Sequence, residues 1–184
     1  MIQSERLLLR PMQSQDAQTL FGYRSDPRVA EYQGWLPGDL GAAQAFCLAQ
    51  SKQAPNQPDT WMQLSLCLHE GAMIGDLGLH FLEDGHQVEF GISLAPAHQG
   101  QGYANEAMLA VFDWLFSTLG KHRIFCSVDP RNLPSMAMAK ALGMRQEAHF
   151  VKSLFFKGAW VDDVVFGLLA QEWRLPKAQG GQTG

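Results

Sequence analysis

The chain has 184 residues, of which 46% are hydrophobic and 17% are charged. These proportions exclude a largely disordered chain, and the length fits one globular domain with a sizeable core. Lys and Arg number 14 against 18 Asp and Glu, so the formal net charge is −4 at pH 7. That balance argues against a nucleic-acid partner, because a nucleic-acid-binding surface would show as a cluster of basic residues.

Two further features bear on the compartment in which the protein works. Charged residues interrupt positions 2–10, so we expect no signal peptide, and no run of 18 apolar residues predicts a membrane span. Cys47, Cys67 and Cys126 are widely spaced and lie in apolar surroundings, which is typical of reduced thiols in a core. We therefore expect a soluble, cytoplasmic protein that does not associate with a membrane.

The first third of the chain predicts one strand and three helical segments. An apolar strand at 6–12 is ended by Pro11. Apolar residues then recur at helical spacing in three segments, at 14–25, 29–32 and 40–54.

From residue 61 the pattern changes to strands. Segment 61–69 alternates apolar with more polar residues, which predicts a half-buried strand. Segments 73–82 and 88–94 are two further strand candidates, and short turns at Glu70-Gly71 and 83–85 separate the three. Strands joined by tight turns form an antiparallel meander.

The second half of the chain alternates helices and strands. Apolar residues from Ala104 to Leu119 recur at i, i+3, i+4 and i+7, which predicts a long helix ending near Gly120. A strand, a helix and two strands follow at 123–128, 132–142, 147–156 and 163–170. This order predicts a mixed α/β (α+β) domain over residues 1–173 with one crossover through the long helix, followed by a flexible tail at 174–184.

The segment between the third meander strand and the long helix suggests chemistry. It reads APAHQGQGYA over residues 95–104. A loop that enters a helix presents unpaired backbone N–H groups at the positive end of the helix dipole, which suits a phosphate or pyrophosphate. Gly100 and Gly102 allow positive φ and a close approach of the ligand. The segment is neither a Walker A loop nor G-x-G-x-x-G, and the alternative is a tight turn that merely requires glycine.

The pattern Gln99-x-x-Gly102-x-Ala104 resembles the pyrophosphate-binding signature of the GNAT superfamily of acyl-CoA-dependent N-acyltransferases. The opening SERLLLRP at 4–11, the Ser-Asp-Pro at 25–27 and the closing GAWVD…LLxxEW are similar to the RimJ/RimL-like branch. The resemblance covers about residues 1–173. It implies a central, mostly antiparallel sheet of about seven strands flanked by helices.

The resemblance also implies a donor site for acetyl-CoA. The pyrophosphate would lie on the backbone N–H groups of Gln99, Gly100, Gln101, Gly102, Tyr103 and Ala104. The backbone of Ile92, Ser93 and Leu94 would pair with the pantetheine arm as another strand does. Asn132 matches an asparagine that contacts pantetheine in the family.

Ser135 is the candidate for assisting the departing thiolate. It lies on the same helical face as Asn132, near the expected position of the thioester sulfur. Many relatives carry a tyrosine seven residues after that asparagine as the acid, but this chain has Ala139 there, and Tyr103 in the phosphate loop is a poor substitute. A thiol with a pKa of about 8.5 leaves with little help, so a hydrogen bond is sufficient.

Glu89 is the candidate general base. A Lys-type amine with a pKa of about 10.4 is under ~0.1% neutral at pH 7, so a group must remove its proton. Glu89 lies on the third meander strand, and its spacing to the phosphate loop resembles that of the strand glutamate used as base in several GNAT enzymes. The alternative is a structural carboxylate held by neighbouring backbone.

Several other residues are candidates for a role in acceptor binding, metal binding or packing. Trp35 is a candidate for lining the acceptor site, because its loop covers that site in relatives, or else it anchors the loop. The six histidines show no metal-ligand spacing, so no structural metal is expected. Phe155, Phe156 and Trp160 belong to a core, a homodimer surface or a substrate contact.

The sequence therefore predicts an acetyl-CoA-dependent N-acetyltransferase that acts through a ternary complex on a primary amine. A protein or peptide N-terminal α-amine ranks first as acceptor, on the resemblance. A small amine such as a polyamine, an aminoglycoside or an amino-acid-like molecule is the alternative. A coenzyme A-binding module without catalysis is a third reading, which the presence of Glu89, Asn132 and Ser135 weighs against.

Overall fold

The computed structural model describes residues 1–173, so the predicted tail at 174–184 lies outside the described residues. The strands are β1 (Ile2–Gln3), β2 (Leu7–Pro11), β3 (Thr60–Leu68), β4 (Met73–Phe81), β5 (Gln87–Leu94), β6 (Arg123–Val128), β7 (Arg145–Phe156) and β8 (Ala159–Leu169). The helices are α1 (Ala17–Arg24), α2 (Pro27–Ala30), α3 (Leu40–Gln50), α4 (Tyr103–Asp113) and α5 (Leu133–Ala141).

The strands form one mostly antiparallel sheet in the order β1-β2-β3-β4-β5-β6-β8-β7. The predicted mixed α/β fold is confirmed, with eight strands instead of about seven. The added strand, β1, pairs Ile2 with Leu9 and Gln3 with Leu8. Two residues are too short to show an alternating pattern, so β1 has no signal in the sequence.

Helices cover both faces of the sheet. On one face, α4 packs into the main core, where the ring centres of Phe90 and Phe112 lie 5.5 Å apart. On the other face, α1 and α3 pack over β3 and β4 around a second cluster that includes Leu20 and Cys47. The strand predicted at 61–69 is present as β3, but the expectation that it is half-buried was wrong, because this second layer buries the polar side of β3 as well.

The long helix predicted up to Gly120 changes its winding. Regular α-helix ends at Asp113, and residues 114–118 form a wider π turn in which the Leu119 N–H donates to the Trp114 carbonyl at 3.0 Å. None of the helices within residues 1–173 is long and apolar enough to cross a membrane.

The sheet opens between β5 and β6, the one parallel pair. Their pairing within the described chain covers three positions, of which the last joins Glu89 to Phe125. Beyond that point β5 stays paired with β4 as far as Leu94. The backbone of β5 from Gly91 to Leu94 is therefore open on the side that faces β6, and α4 begins close to the end of this open edge.

Candidate functional site

A cavity of about 500 Å³ lies where β5 and β6 diverge. Its walls come from α2, the end of β5, the loop that enters α4, and α5. Ten of the predicted site residues line it: Ile92, Ser93, Leu94, Gln99, Gly100, Gly102, Tyr103, Ala104, Asn132 and Ser135. The other three predicted residues do not line the cavity, and the contacts of each explain why. They are Gln101, Glu89 and Trp35.

The loop at 99–104 wraps the start of α4. Gly100 and Gly102 have φ of 72° and 82°, a conformation that glycine adopts without strain. Gly102 is the N-cap of α4 and has no side chain to occupy the N–H groups of the first turn, which remain available to a ligand. The Gln99 side chain donates to the Leu94 carbonyl at 2.9 Å and ties the loop to the end of β5. The arrangement can bind an anion.

Gln101 faces away from the cavity. Its side-chain amide donates to the Ala97 carbonyl at 2.8 Å, which closes a turn inside the loop. Its own carbonyl accepts from Arg6 Nη1 at 3.2 Å. Gln101 therefore contributes to the loop through its backbone.

Arg6 connects this loop to the first strands. Arg6 Nε donates to Glu106 Oε2 at 2.6 Å, and Ser4 Oγ donates to Glu106 Oε1 at 2.6 Å. The Arg6 guanidinium carbon lies 4.3 Å from the centre of the Tyr103 ring. Partial burial raises the pKa of Glu106, but the hydrogen bonds from Ser4 and Arg6 outweigh it and hold that pKa below its usual value. Arg6 does not line the cavity, so it acts on the loop from behind.

Asn132 caps α5 beside the open edge of β5. Its Oδ1 accepts the Ser135 backbone N–H at 3.2 Å, so its amide nitrogen is the group left to meet a ligand. Ser135 follows one turn later and lines the same cavity. Ala139, at the position where many relatives carry tyrosine, is fully buried in the core.

Glu89 points to the opposite face of β5 from the buried Val88 and Phe90. It lies directly across from His80 on β4, and His80 Nδ1 is 3.6 Å from Glu89 Oε2. Side-chain alternation explains why it does not line the cavity beside α4. Glu89 instead faces the layer that contains α1 and α3.

A gap in the side chains lies next to Glu89 on this face. Gly78 of β4 pairs with Gly91 of β5, but the side chains of Trp61 and Gln63 fill the space above Gly78, so the opening lies at Gly91. Gly91 is exposed, and a Cβ built on it would have no neighbour within 4 Å. The gap adjoins both Glu89 and the open edge of β5. We call it the glycine gap, and it provides access to the open edge from the side opposite α4.

Trp35 lies over the buried polar cluster between the helices and the sheet. Its ring stacks on Phe46 with centres 4.1 Å apart, and the Arg24 guanidinium carbon lies 6.0 Å from its ring centre. Arg24 is in turn paired with buried Asp76, which lies across from Ser93. These contacts anchor the loop, and the ring remains about one-third exposed, at 36%.

Arg28 and Arg131 also line the cavity, although neither was predicted from the sequence as a site residue. Each follows an Asp-Pro pair whose carboxylate accepts the arginine backbone N–H and guanidinium. Hydrogen bonds from Arg28 lower the pKa of Asp26 to about 2. The signal in the sequence that marks both arginines is the repeated Asp-Pro-Arg at 26–28 and 129–131.

The chain is similar to known acetyltransferase domains. Residues 6–145 match the family model described as "Acetyltransferase (GNAT) domain". The Uncharacterized N-acetyltransferase YnaD of Bacillus subtilis (strain 168) is 30% identical over 173 residues, which cover 94% of this chain and 98% of that protein.

Two solved structures show how widely the fold is used. A spermidine N-acetyltransferase from Vibrio cholerae in complex with CoA and spermine has a TM-score of 0.78 at 20% identity, covering 91% of this chain and 97% of that one. A ribosomal-protein-S5-alanine acetyltransferase from Vibrio fischeri has a TM-score of 0.77 at 23% identity, covering 94% and 97%. The two scores are almost equal although the named acceptors differ, so likeness of fold does not select an acceptor.

Proposed function

The chain belongs to the GNAT acetyltransferase family, and from that premise we propose that it transfers acetyl from acetyl-CoA to a primary amine by direct attack in a ternary complex. The observation that carries the proposal is the open edge of β5. It has the cavity with the glycine-bearing loop on one side and the glycine gap with Glu89 on the other. Donor and acceptor can therefore meet at one edge from opposite sides.

The donor half of the site would hold acetyl-CoA through backbone groups. The N–H groups of residues 99–104 suit the pyrophosphate, because they lie at the positive end of α4. The unpaired edge from Ile92 to Leu94 suits the amides of pantetheine, which would extend the sheet as a short strand. The free amide nitrogen of Asn132 is placed to donate to the same arm.

In the reaction, Glu89 would take a proton from the incoming ammonium so that the neutral amine attacks the thioester carbon. The C–N bond forms and the C–S bond breaks. One of the two protons left on nitrogen goes to the thiolate, with Ser135 as hydrogen-bond donor, and the other stays on the product amide. Cys126 is an unsuitable nucleophile for a covalent route, because burial raises its pKa to about 12. A direct transfer fits these residues.

For the acceptor, we infer a peptide or protein α-amine. A polycation needs several uncommitted carboxylates, and three of those around this face are already paired with arginines, whereas Glu89 and Asp59 are not. Asp76, Asp129 and Glu147 are paired with Arg24, Arg131 and Arg123. An α-amine with a pKa near 8 is also about 10% neutral at pH 7, which suits a single carboxylate base. A small amine is the second candidate, because the likeness of fold does not distinguish between the two kinds of acceptor.

We further propose that the protein works in the cytoplasm, where reduced thiols persist. Its three cysteines are free and buried, which supports a reducing compartment. A homodimer stays a prediction. Phe155 and Trp160 are exposed on the β7–β8 hairpin, whereas Phe156 is partly buried.

The direct test is thiol release from acetyl-CoA across a panel of amines. Short peptides with a free α-amine should be acetylated faster than spermidine, and the same peptides with a blocked N-terminus should be inactive. Faster turnover of spermidine would overturn the peptide assignment. Coenzyme A binding without thiol release for any amine would leave a binding module instead of an enzyme.

A further inference from the structure

His80 lies between two carboxylates on the side of the sheet that carries the glycine gap. Its Nδ1 is 3.6 Å from Glu89 Oε2, and its Nε2 is 3.5 Å from Asp59 Oδ1. The ring also stacks on Trp61 with centres 4.8 Å apart and planes inclined by 10°. Trp61 and Glu89 are the cross-strand neighbours of His80 on β3 and β5, so the sheet register holds this row together.

The row leads from the glycine gap to solvent. The side chains of Glu89 and His80 are 28% and 23% exposed, whereas that of Asp59 is 80% exposed. Asp59 ends the loop before β3 with φ of 53°, a left-handed conformation that Asp tolerates better than most residues. This conformation turns the chain into β3 at the point where the carboxylate meets the imidazole.

Asp59 and Glu89 each lie within 4 Å of His80, and among the described residues neither carboxylate forms an ion pair with Lys or Arg. On the other side of His80, β3 contributes the uncharged ring of Trp61. On the far side of Glu89, β6 contributes Phe125. That ring is covered by the guanidinium of Arg123, which is itself committed to Glu147 and Gln87.

The proton that Glu89 would take from the acceptor must reach solvent, and the row of Glu89, His80 and Asp59 offers a route. An acceptor arrives largely as an ammonium ion, and one proton must leave the site for every acetyl group transferred. A bound acceptor in the glycine gap covers the exposed part of Glu89, so the direct route from that carboxylate to water closes. His80 remains connected to Asp59 at the surface.

We propose that His80 is a positioning residue that passes the acceptor's proton from Glu89 to Asp59 and solvent. The inference rests on the proposed function of Glu89 as base. Through a bridging water, or once the 3.6 Å separation shortens to hydrogen-bond distance, the protonated Glu89 carboxyl gives its proton to the unprotonated Nδ1 of His80, and the ring releases its Nε2 proton to Asp59 or to water. One proton enters the ring and one leaves, and water exchange at the partly exposed ring restores the starting tautomer.

The test compares His80→Phe with His80→Ala. Phe keeps an aromatic ring against Trp61 but cannot carry a proton, whereas Ala leaves space for added imidazole. Both variants should lower kcat on the order of 10-fold, less than the roughly 10²–10⁴-fold loss typical of removing the base. The KM for acetyl-CoA should not change. Imidazole should restore turnover to His80→Ala and leave His80→Phe slow.

The matched control is His149→Phe. His149 is also paired with a carboxylate, Asp162, at 2.8 Å, but on the outer β7–β8 hairpin. It should keep wild-type turnover, and thermal unfolding should show that all variants are folded. Wild-type kcat in His80→Phe would overturn the relay, because stacking would then be the whole role of His80. Absence of imidazole rescue in folded His80→Ala would overturn it as well.

Parallel measurement of Glu89→Gln separates this inference from the proposed function. A slow Glu89→Gln with a fast His80→Phe overturns the relay and retains the base. An unchanged Glu89→Gln overturns the base and the relay together. If Glu89 is the base and His80 is the relay, the double variant should have a kcat only slightly below that of Glu89→Gln alone, because the two residues act on one proton.

Discussion

At the residue scale, strand alternation decides which face of the sheet the Glu89 carboxylate lies on. Its neighbours Val88 and Phe90 are buried under α4, so Glu89 must face the other side of the sheet. On that side it meets His80 and the glycine gap. A carboxylate in this position can contact an amine without contacting coenzyme A.

Glu89→Gln should lower kcat/KM by roughly 10²–10⁴-fold, because the amide keeps the size of the side chain but cannot accept the proton. The loss should shrink as pH rises, since the acceptor then arrives neutral. It should shrink sooner for an α-amine, with a pKa near 8, than for a Lys-type amine near 10.4. Equal pH–rate profiles of the two enzymes from about pH 6 to 9 would show that Glu89 is structural.

Ser135 has a different task, because its backbone N–H is already used by the Asn132 cap and only its hydroxyl is left for chemistry. Ser135→Ala should lower kcat while the Kd for acetyl-CoA stays within a few-fold. Ser117→Ala is a suitable control, because that exposed hydroxyl bonds Asp113 away from the cavity. Weaker acetyl-CoA binding with unchanged kcat would make Ser135 a binding residue.

At the scale of elements, the junction between β5 and α4 forms part of the proposed donor site. Gly102→Asp should nearly abolish coenzyme A binding, because the added carboxylate repels the pyrophosphate and the backbone has φ of 82°. Titration calorimetry measures the loss. Gly120→Asp imposes a similar strain, at φ of 64°, outside the cavity walls, so it should keep its affinity. Unchanged binding in folded Gly102→Asp would contradict the site.

The same junction depends on the first strands through Arg6. Arg6→Gln removes the charged contact with Glu106 and loosens the hold on the Gln101 carbonyl, so coenzyme A affinity should fall a few-fold. Arg145→Gln breaks ion pairs with Glu147 and Glu172 far from the loop and should leave affinity intact. If both variants bind equally well, the loop holds its shape without Arg6.

At the scale of the whole molecule, a buried charge network joins the helical layer to the sheet. Asp76 is fully buried and accepts hydrogen bonds from Tyr23, Arg24 and Gln63. Burial, with the charge of Asp76 beside it, raises the pKa of Tyr23 well above its usual value, so the phenol stays a donor. This network places the loop that carries Trp35.

Arg24→Met should lower the free energy of unfolding by about 3–5 kcal/mol, because it leaves the Asp76 charge buried without its main partner. That is a large part of the roughly 5–15 kcal/mol typical of a domain. Urea unfolding measures the change. Adding Asp76→Asn should recover part of it, since the charge is then gone. A loss below about 1 kcal/mol in Arg24→Met would mean that the pair is not a main support.

Local patterns in the sequence determined most of the elements and the donor loop. Strand alternation, the Gly-containing loop before α4 and the start of α5 at Asn132 depend on residues within a few positions of each other, so their signals survive in one dimension. Ten of the cavity residues were predicted from such signals and from a resemblance that several short motifs along residues 1–173 carry.

Only the tertiary structure decided what meets across the sheet. Four features of the structure bring together residues that are distant in sequence. They are the divergence of β5 from β6, the glycine gap, the row from Glu89 through His80 to Asp59, and the contact of Arg6 with Glu106. The burial of both faces of β3 likewise depends on helices that precede it. Such contacts follow from strand register and layer packing, which a local pattern does not contain.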